Sequence, residues 1–185
     1  HVKDGNERVM QDVEVSQAKT QVSFSLSSMP PTMEIDPDYD LMRRLVPDEL
    51  PAVWSRFMGG AEKIAVLQDG SEEMFAQLRP VLEEMGCAIV TEGEADEQDL
   101  GAKNLLFLGT GSKASLGLFA KPALPASGFT LEVRENPLTP GLVAVLVQAE
   151  SAEQVAAVAH KLRHYGKYGY LHFEDGRNTD KRIPE

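Results

Sequence analysis

A single cysteine, Cys87, stands among 185 residues, so no internal disulfide can form and no thiolate cage can hold a metal. Cys87 follows Gly86 and opens an apolar run, which reads as a buried, inert thiol. No apolar run approaches the roughly 18 residues that a membrane-spanning helix needs, and no signal-peptide pattern is present. Direct membrane insertion is therefore not expected. Positive charge is also scarce: 18 lysines and arginines face 29 aspartates and glutamates, for a formal net charge of -11. Most of such a surface would repel a phosphate backbone, which argues against nucleic acid as a partner. The deficit is uneven, with 21 acids and 8 bases in residues 1–100 but 8 acids and 10 bases in residues 101–185, or -13 against +2. The second part leaves room for a local anionic ligand.

What is present has the balance of a globular domain, 42% hydrophobic and 25% charged residues, rather than that of a disordered or fibrous chain. The chain opens at His1 instead of a methionine, inside a strand-like pattern, and reads as an excised piece of a larger protein. Any export signal would then lie outside it.

Three segments are expected. Residues 1–36 alternate polar and apolar side chains over Arg8–Val15 and Thr20–Ser27, with a third short strand at Thr32–Ile35. Two or three strands are weak alone, so they read as a β-hairpin or as the end of a β-sandwich. Their unpaired edges would also allow self-association. Residues 37–59 form a helical linker: Asp38 caps Tyr39–Leu45, Pro47 stops that helix, and Pro51 opens another through Phe57. Residues 60–185 alternate strands and helices. Strands are predicted at Ile64–Leu67, Ala88–Thr91, Asn104–Leu108, Phe129–Val133, Leu142–Val147 and Tyr168–Phe173. Helices are predicted at Ser71–Met85, interrupted at Pro80, at Ser112–Phe119, and after the Ser151 cap. Glu92–Asp99 reads as an acidic loop and everything from Asp175 as a loose polar tail. The fold class that follows is α/β, a mostly parallel doubly wound sheet with flanking helices. Residues 129–147 hold two strands with no helix between them, which implies one antiparallel pair.

The candidate ligand loop is Gly109-Thr110-Gly111-Ser112, which follows a strand and opens a helix in the form G-x-G-x-x-A. Glycines there would let a pyrophosphate approach the backbone, with Glu132 at a plausible distance for a ribose hydroxyl. The loop follows the third strand of the series rather than the first, so a plain tight turn is the competing reading. Ser115 sits in a half-formed nucleophile elbow, but Lys113 replaces the small residue that such a turn needs. His160 and His164 are spaced to share a helical face, yet the glutamate of a zinc-protease motif is missing. Asp36, Asp38 and Asp40 begin like a calcium loop that Leu41 and Pro47 then break. No cofactor, metal site or catalytic residue is expected. The segment His164-Tyr165-Gly166-Lys167-Tyr168-Gly169-Tyr170-Leu171-His172-Phe173 offers either a half-buried edge strand or an aromatic docking surface. Gly166 would end the preceding helix in a left-handed conformation, and Tyr168, Tyr170 and His172 would share one strand face.

That last segment, together with Ile35-Asp36-Pro37-Asp38-Tyr39-Asp40-Leu41-Met42-Arg43-Arg44-Leu45 and Glu49-Leu50-Pro51, resembles the C-terminal region of bacterial aminopeptidase N-like (gluzincin) metallopeptidase-family proteins. The resemblance implies that residues 1–36 end a β-sandwich and that a trailing α/β domain follows. It implies a periplasmic or envelope-associated parent, with neighbouring domains of that parent as partners. The chain has no His-Glu-x-x-His, so no catalytic residue carries over. What is implied is a non-catalytic accessory module, for domain packing or substrate orientation. The alternative is an independent α/β domain binding a nucleotide or other anion at Gly109–Ser112.

Overall fold

The structure, a computed structural model, describes residues 2–4, 7–9, 13–14, 16–17, 19–23, 25, 45–46, 49–120 and 122–184. The chain divides into two compact units, His1–Leu45 and Val46–Glu185. In the first, β1 (Val2–Asp4) pairs antiparallel with β2 (Glu7–Val9). The longer strands expected at Arg8–Val15 and Thr20–Ser27 are not formed by the described residues there beyond Val9. Val13, Thr20, Gln21, Ser23 and Ser25 are exposed, and an alternating pattern makes a strand only where a partner buries its apolar face. Thr32–Ile35, residues 39–44 of the helix expected at Tyr39–Leu45, and Asp36, Asp38 and Asp40 lie outside the described residues.

The second unit is a mixed α/β fold around one seven-stranded sheet, order β4-β3-β5-β7-β6-β8-β9. The strands are β3 (Lys63–Leu67), β4 (Ala88–Thr91), β5 (Asn104–Leu108), β6 (Phe129–Glu135), β7 (Val143–Ala149), β8 (Tyr170–Glu174) and β9 (Arg177–Arg182). β4, β3, β5 and β7 run parallel, and β6 is antiparallel to both β7 and β8. The antiparallel pair expected within residues 129–147 is β6 with β7, in register over seven residue pairs from Phe129↔Ala149 to Glu135↔Val143.

The helices are α1 (Trp54–Gly59), α2 (Glu72–Phe75), α3 (Arg79–Glu84), α4 (Glu97–Ala102), α5 (Lys113–Phe119) and α6 (Ala152–Val158). Pro80 sits in the first turn of α3, and a 3-10 stretch, Ala76–Leu78, joins it to α2. A proline cannot donate to the turn before it, and its ring crowds the carbonyl four residues back. The interruption expected at Pro80 is thus a break, with two short helices and a 3-10 stretch spanning the predicted Ser71–Met85. Ser151 caps α6 by accepting from the Gln154 amide, as expected. α4 replaces part of the predicted acidic loop; the Asp96 carboxylate accepts from the Asp99 amide and supplies its N-cap.

The tail is likewise structured. Asp175 and Gly176, at φ 48° and 72°, form a two-residue turn that folds β9 back onto β8. Two successive positive φ values suit the right-handed twist of a hairpin, and Asp-Gly is a preferred pair for them.

Two apolar clusters flank the sheet. The larger contains Phe75, Leu82, Leu106, Val145, Val155 and Phe173; the smaller contains Ile64, Val66, Leu105, Phe107, Ala144 and Leu146, with Leu100, Leu118 and Phe119 packed on it. Trp54 and Phe57, stacked with ring centroids 5.1 Å apart, belong to the larger cluster. The end of the expected linker is thus part of the α/β unit. Cys87 is buried, and burial pushes its thiol up to about 11, against a smaller opposing effect of the Lys63 ammonium.

Both sheet edges are protected. On β4 the outward-facing backbone groups are those of Ile89 and Thr91, since the Glu92 amide reaches inward to Leu67. Thr91 donates its amide to the Glu94 carboxylate at 2.8 Å, and its carbonyl accepts from the Glu94 amide at 3.1 Å. β9 carries Arg177, Asp180, Lys181 and Arg182, and its pairing is bulged at His172/Phe173. Charge and bulging are standard ways to blunt an edge.

Candidate functional site

The Gly109–Ser112 loop leaves the carboxyl end of β5, between β3 and β7. The chain goes from β3 outward to β4 and then returns across β3 to β5, so the loop lies where the strand order reverses. In open α/β sheets this is the place where ligands bind.

Several of its donors are already engaged. Gln68, first after β3, accepts from the Gly111 amide through Oε1 at 2.8 Å. The Lys113 amide, first in α5, donates to the Glu92 carboxylate. The Ser115 amide donates to Ser112 Oγ at 3.1 Å, the expected N-cap bond. Thr110 Oγ1 donates to Gln148 Oε1 at 2.9 Å. An amide oxygen and a carboxylate thus stand where phosphate oxygens would have to go.

The glycines serve the same closure. Gly109 has φ 93°, and a Cβ added there would lie 2.6 Å from Gln68 Oε1 and 2.9 Å from Gln68 Cβ. At Gly111 the added atom would be 2.9 Å from the same oxygen. Both residues make room for the Gln68 side chain. Glu132, the proposed ribose partner, lies on β6, which is antiparallel and two strands away from β5. Its carboxylate binds Arg134 through two bonds of 3.0 Å each. Ser115 is buried, with Oγ lacking a hydrogen-bond partner, so it is not presented at a turn as a nucleophile must be.

His160 and His164 lie in a 3-10 stretch, Ala159–His164, rather than in an α-helix. Three residues per turn place positions four apart on different faces, so the shared face is lost. Both are exposed. Among the described residues no group of three or more His, Cys, Asp or Glu could hold a metal ion, and no helix is long and apolar enough to cross a membrane.

The aromatic segment turns inward more than its sequence suggests. β8 begins at Tyr170, and residues 166–169 form a turn in which the Tyr168 amide donates to the Tyr165 carbonyl. That turn caps α1: the Trp54 amide donates to the Tyr168 carbonyl at 2.9 Å, and the Ser55 amide to the Gly166 carbonyl at 2.7 Å. Trp54 Nε1 adds a bond to the Leu162 carbonyl at 3.1 Å. Gly166 is not among the positive-φ glycines. Its constraint is space, because a Cβ would lie 3.1 Å from Met58 Cε and 3.2 Å from Ser55 Cβ. Tyr165 packs edge-on against Phe173 with centroids 5.3 Å apart. Tyr168 packs on the larger cluster with Leu171 and Phe173, so it does not share a face with Tyr170 and His172.

On that other face the strands align a polar row, Gln148–Thr130–His172–Asp180, in direct cross-strand register. Thr130 Oγ1 and His172 Nδ1 are 2.8 Å apart and buried, and His172 Nε2 is 3.6 Å from Glu174 Oε1. The next row sets Glu132 opposite Tyr170 and Tyr170 opposite Arg182, whose guanidinium lies 4.2 Å from the ring centroid. Burial pushes the Tyr170 phenol upward, partly offset by Arg182. The sequence does not single out Gln68, Thr130 or Gln148, and it marks Glu92 only as the start of the acidic loop; the local signal is a polar residue interrupting or ending an apolar strand.

The chain matches no family model, no curated protein and no solved structure.

Proposed function

We propose that the chain is a non-catalytic accessory module of a larger peptidase-like protein, serving domain packing or substrate orientation. The parallel half of its sheet reads as a doubly wound arrangement, a reading supported by the two apolar clusters. The observation that carries the functional reading is the loop filled from within, where Gln68 and Glu92 take the Gly111 and Lys113 amides. A module built to hold a nucleotide would leave those donors for phosphate. The capping of α1 by the Gly166–Tyr168 turn supports a structural use of the aromatic segment.

Binding of a nucleotide or another anion at Gly109–Ser112 is the second reading, favoured only by the loop's place at the strand-order reversal. The accessory reading is tested by comparing the full-length parent with a version lacking residues 46–185, using small aminoacyl reporters and longer peptides. The expected result is retained turnover of small reporters with altered preference for peptide length. Unchanged activity and preference in a stably folded truncation would refute it.

A further inference from the structure

We propose that the face around Tyr168 docks an acidic, extended segment of a partner protein, held by Lys167 and Lys181. This deepens the accessory-module reading and rests on it. Lys167 Nζ and Lys181 Nζ each lie 5.3 Å from the centroid of the Tyr168 ring. One comes from the turn before β8 and the other from β9, so two separate elements bring their ammonium groups to one ring. Both lysines are exposed, and neither makes an ion pair with any described residue. Arg56, Arg134, Arg163 and Arg182, by contrast, each have a carboxylate partner.

The ring supplies the floor. Tyr168 is half-buried; its backbone is fixed by the bond from the Trp54 amide, and its ring lies 6.0 Å from that of Tyr165. It is therefore positioned before any partner arrives, which lowers the ordering cost of binding.

Charge complementarity identifies the occupant. Residues 154–173 contain no aspartate or glutamate, whereas the chain as a whole carries -11. Within a negative molecule, two lysines gathered on one ring, neither paired with a carboxylate among the described residues, select a short carboxylate-bearing segment over a long polyanion. DNA or an anionic membrane extends past the patch and meets the acidic remainder.

The probe is a fluorescein-labelled decapeptide of alternating glutamate and glycine, measured by fluorescence anisotropy against the 185-residue chain. Its controls are a glutamine–glycine decapeptide, oligothymidylate and phosphatidylserine vesicles. The expected result is saturable binding of the glutamate peptide, at least tenfold tighter than the glutamine peptide and weakened by added salt. Lys167→Glu and Lys181→Glu are each expected to weaken it at least fivefold, while Arg79→Glu, with the same charge change on α3, changes it less than twofold.

Equal loss in all three variants would mean net charge alone governs binding and would overturn the proposal. Absence of binding, or tighter binding of oligothymidylate or vesicles, would also overturn it. If the patch fails while deletion of residues 46–185 still alters peptide preference, the accessory reading survives and this surface is excluded. The converse result removes that reading and leaves the patch as an independent acidic-segment site.

Discussion

From β4 to β7 the sheet is apolar on both faces, whereas β6 and β8 are apolar on one face only and β9 carries no apolar residue. β3 and β5 are buried at every residue, and β7 at all but Gln148. Parallel strands enclosed by helices need such continuous runs. β6 instead alternates Phe129, Leu131 and Val133 with Thr130, Glu132 and Arg134, and β8 alternates Leu171 and Phe173 with Tyr170 and His172. The alternation marks a sheet whose second face is polar. Stability should therefore be concentrated in the first half, and polar specificity in the second.

The sharpest way to break this comparison is to change one side chain in each half. Phe107→Ala removes a fully buried ring from the smaller cluster and is expected to cost about 3–5 kcal/mol in denaturant unfolding. Glu132→Gln, on the polar face of β6, should cost no more than about 1 kcal/mol. Comparable losses would mean that the polar face carries as much of the fold as the apolar one.

The next effect is set by Cys87. Its folded thiol is raised above the ordinary value, so the unfolded chain ionises first and stability falls as pH rises from about 9 to about 11. The expected loss is on the order of 2 kcal/mol, read from unfolding midpoints in a thiol-protected buffer. A flat profile across that range would contradict the burial account. Thr130→Val keeps the shape but leaves buried His172 Nδ1 without its hydroxyl partner, at an expected cost of about 1–2 kcal/mol. Ser115→Ala removes a buried hydroxyl with no partner; it should be neutral or stabilise by up to about 1 kcal/mol. A loss above that range would show that Ser115 has a role that packing does not explain.

The same contrast explains what could be read in advance. Ile64–Leu67 and Asn104–Leu108 are short apolar runs bounded by turns and were legible as buried strands. The Ser151 cap was legible because its partner lies three residues away. β9 was missed, although Asp175-Gly176 is a hairpin signal, because Arg177–Arg182 is polar and looks like a tail. α4 was missed because its acids outweigh its weak apolar face. At the loop, the strand–turn–helix setting was legible and its closure was not. Gln68 lies 43 residues before Gly111, and Glu92 lies 21 before Lys113. Nothing local to the loop announces either, since sheet order brings them together.

The most direct test of the account is the state of the loop amides in solution. Backbone NMR of the 185-residue chain would follow Gly109, Gly111 and Lys113 while ADP, NAD or inorganic phosphate is added to millimolar concentration. The account predicts amides slow to exchange with solvent and unmoved by any of the three. Saturable shifts at Gly111 and Lys113 would mean that phosphate displaces Gln68 and Glu92, and would contradict the claim that the loop is closed from within.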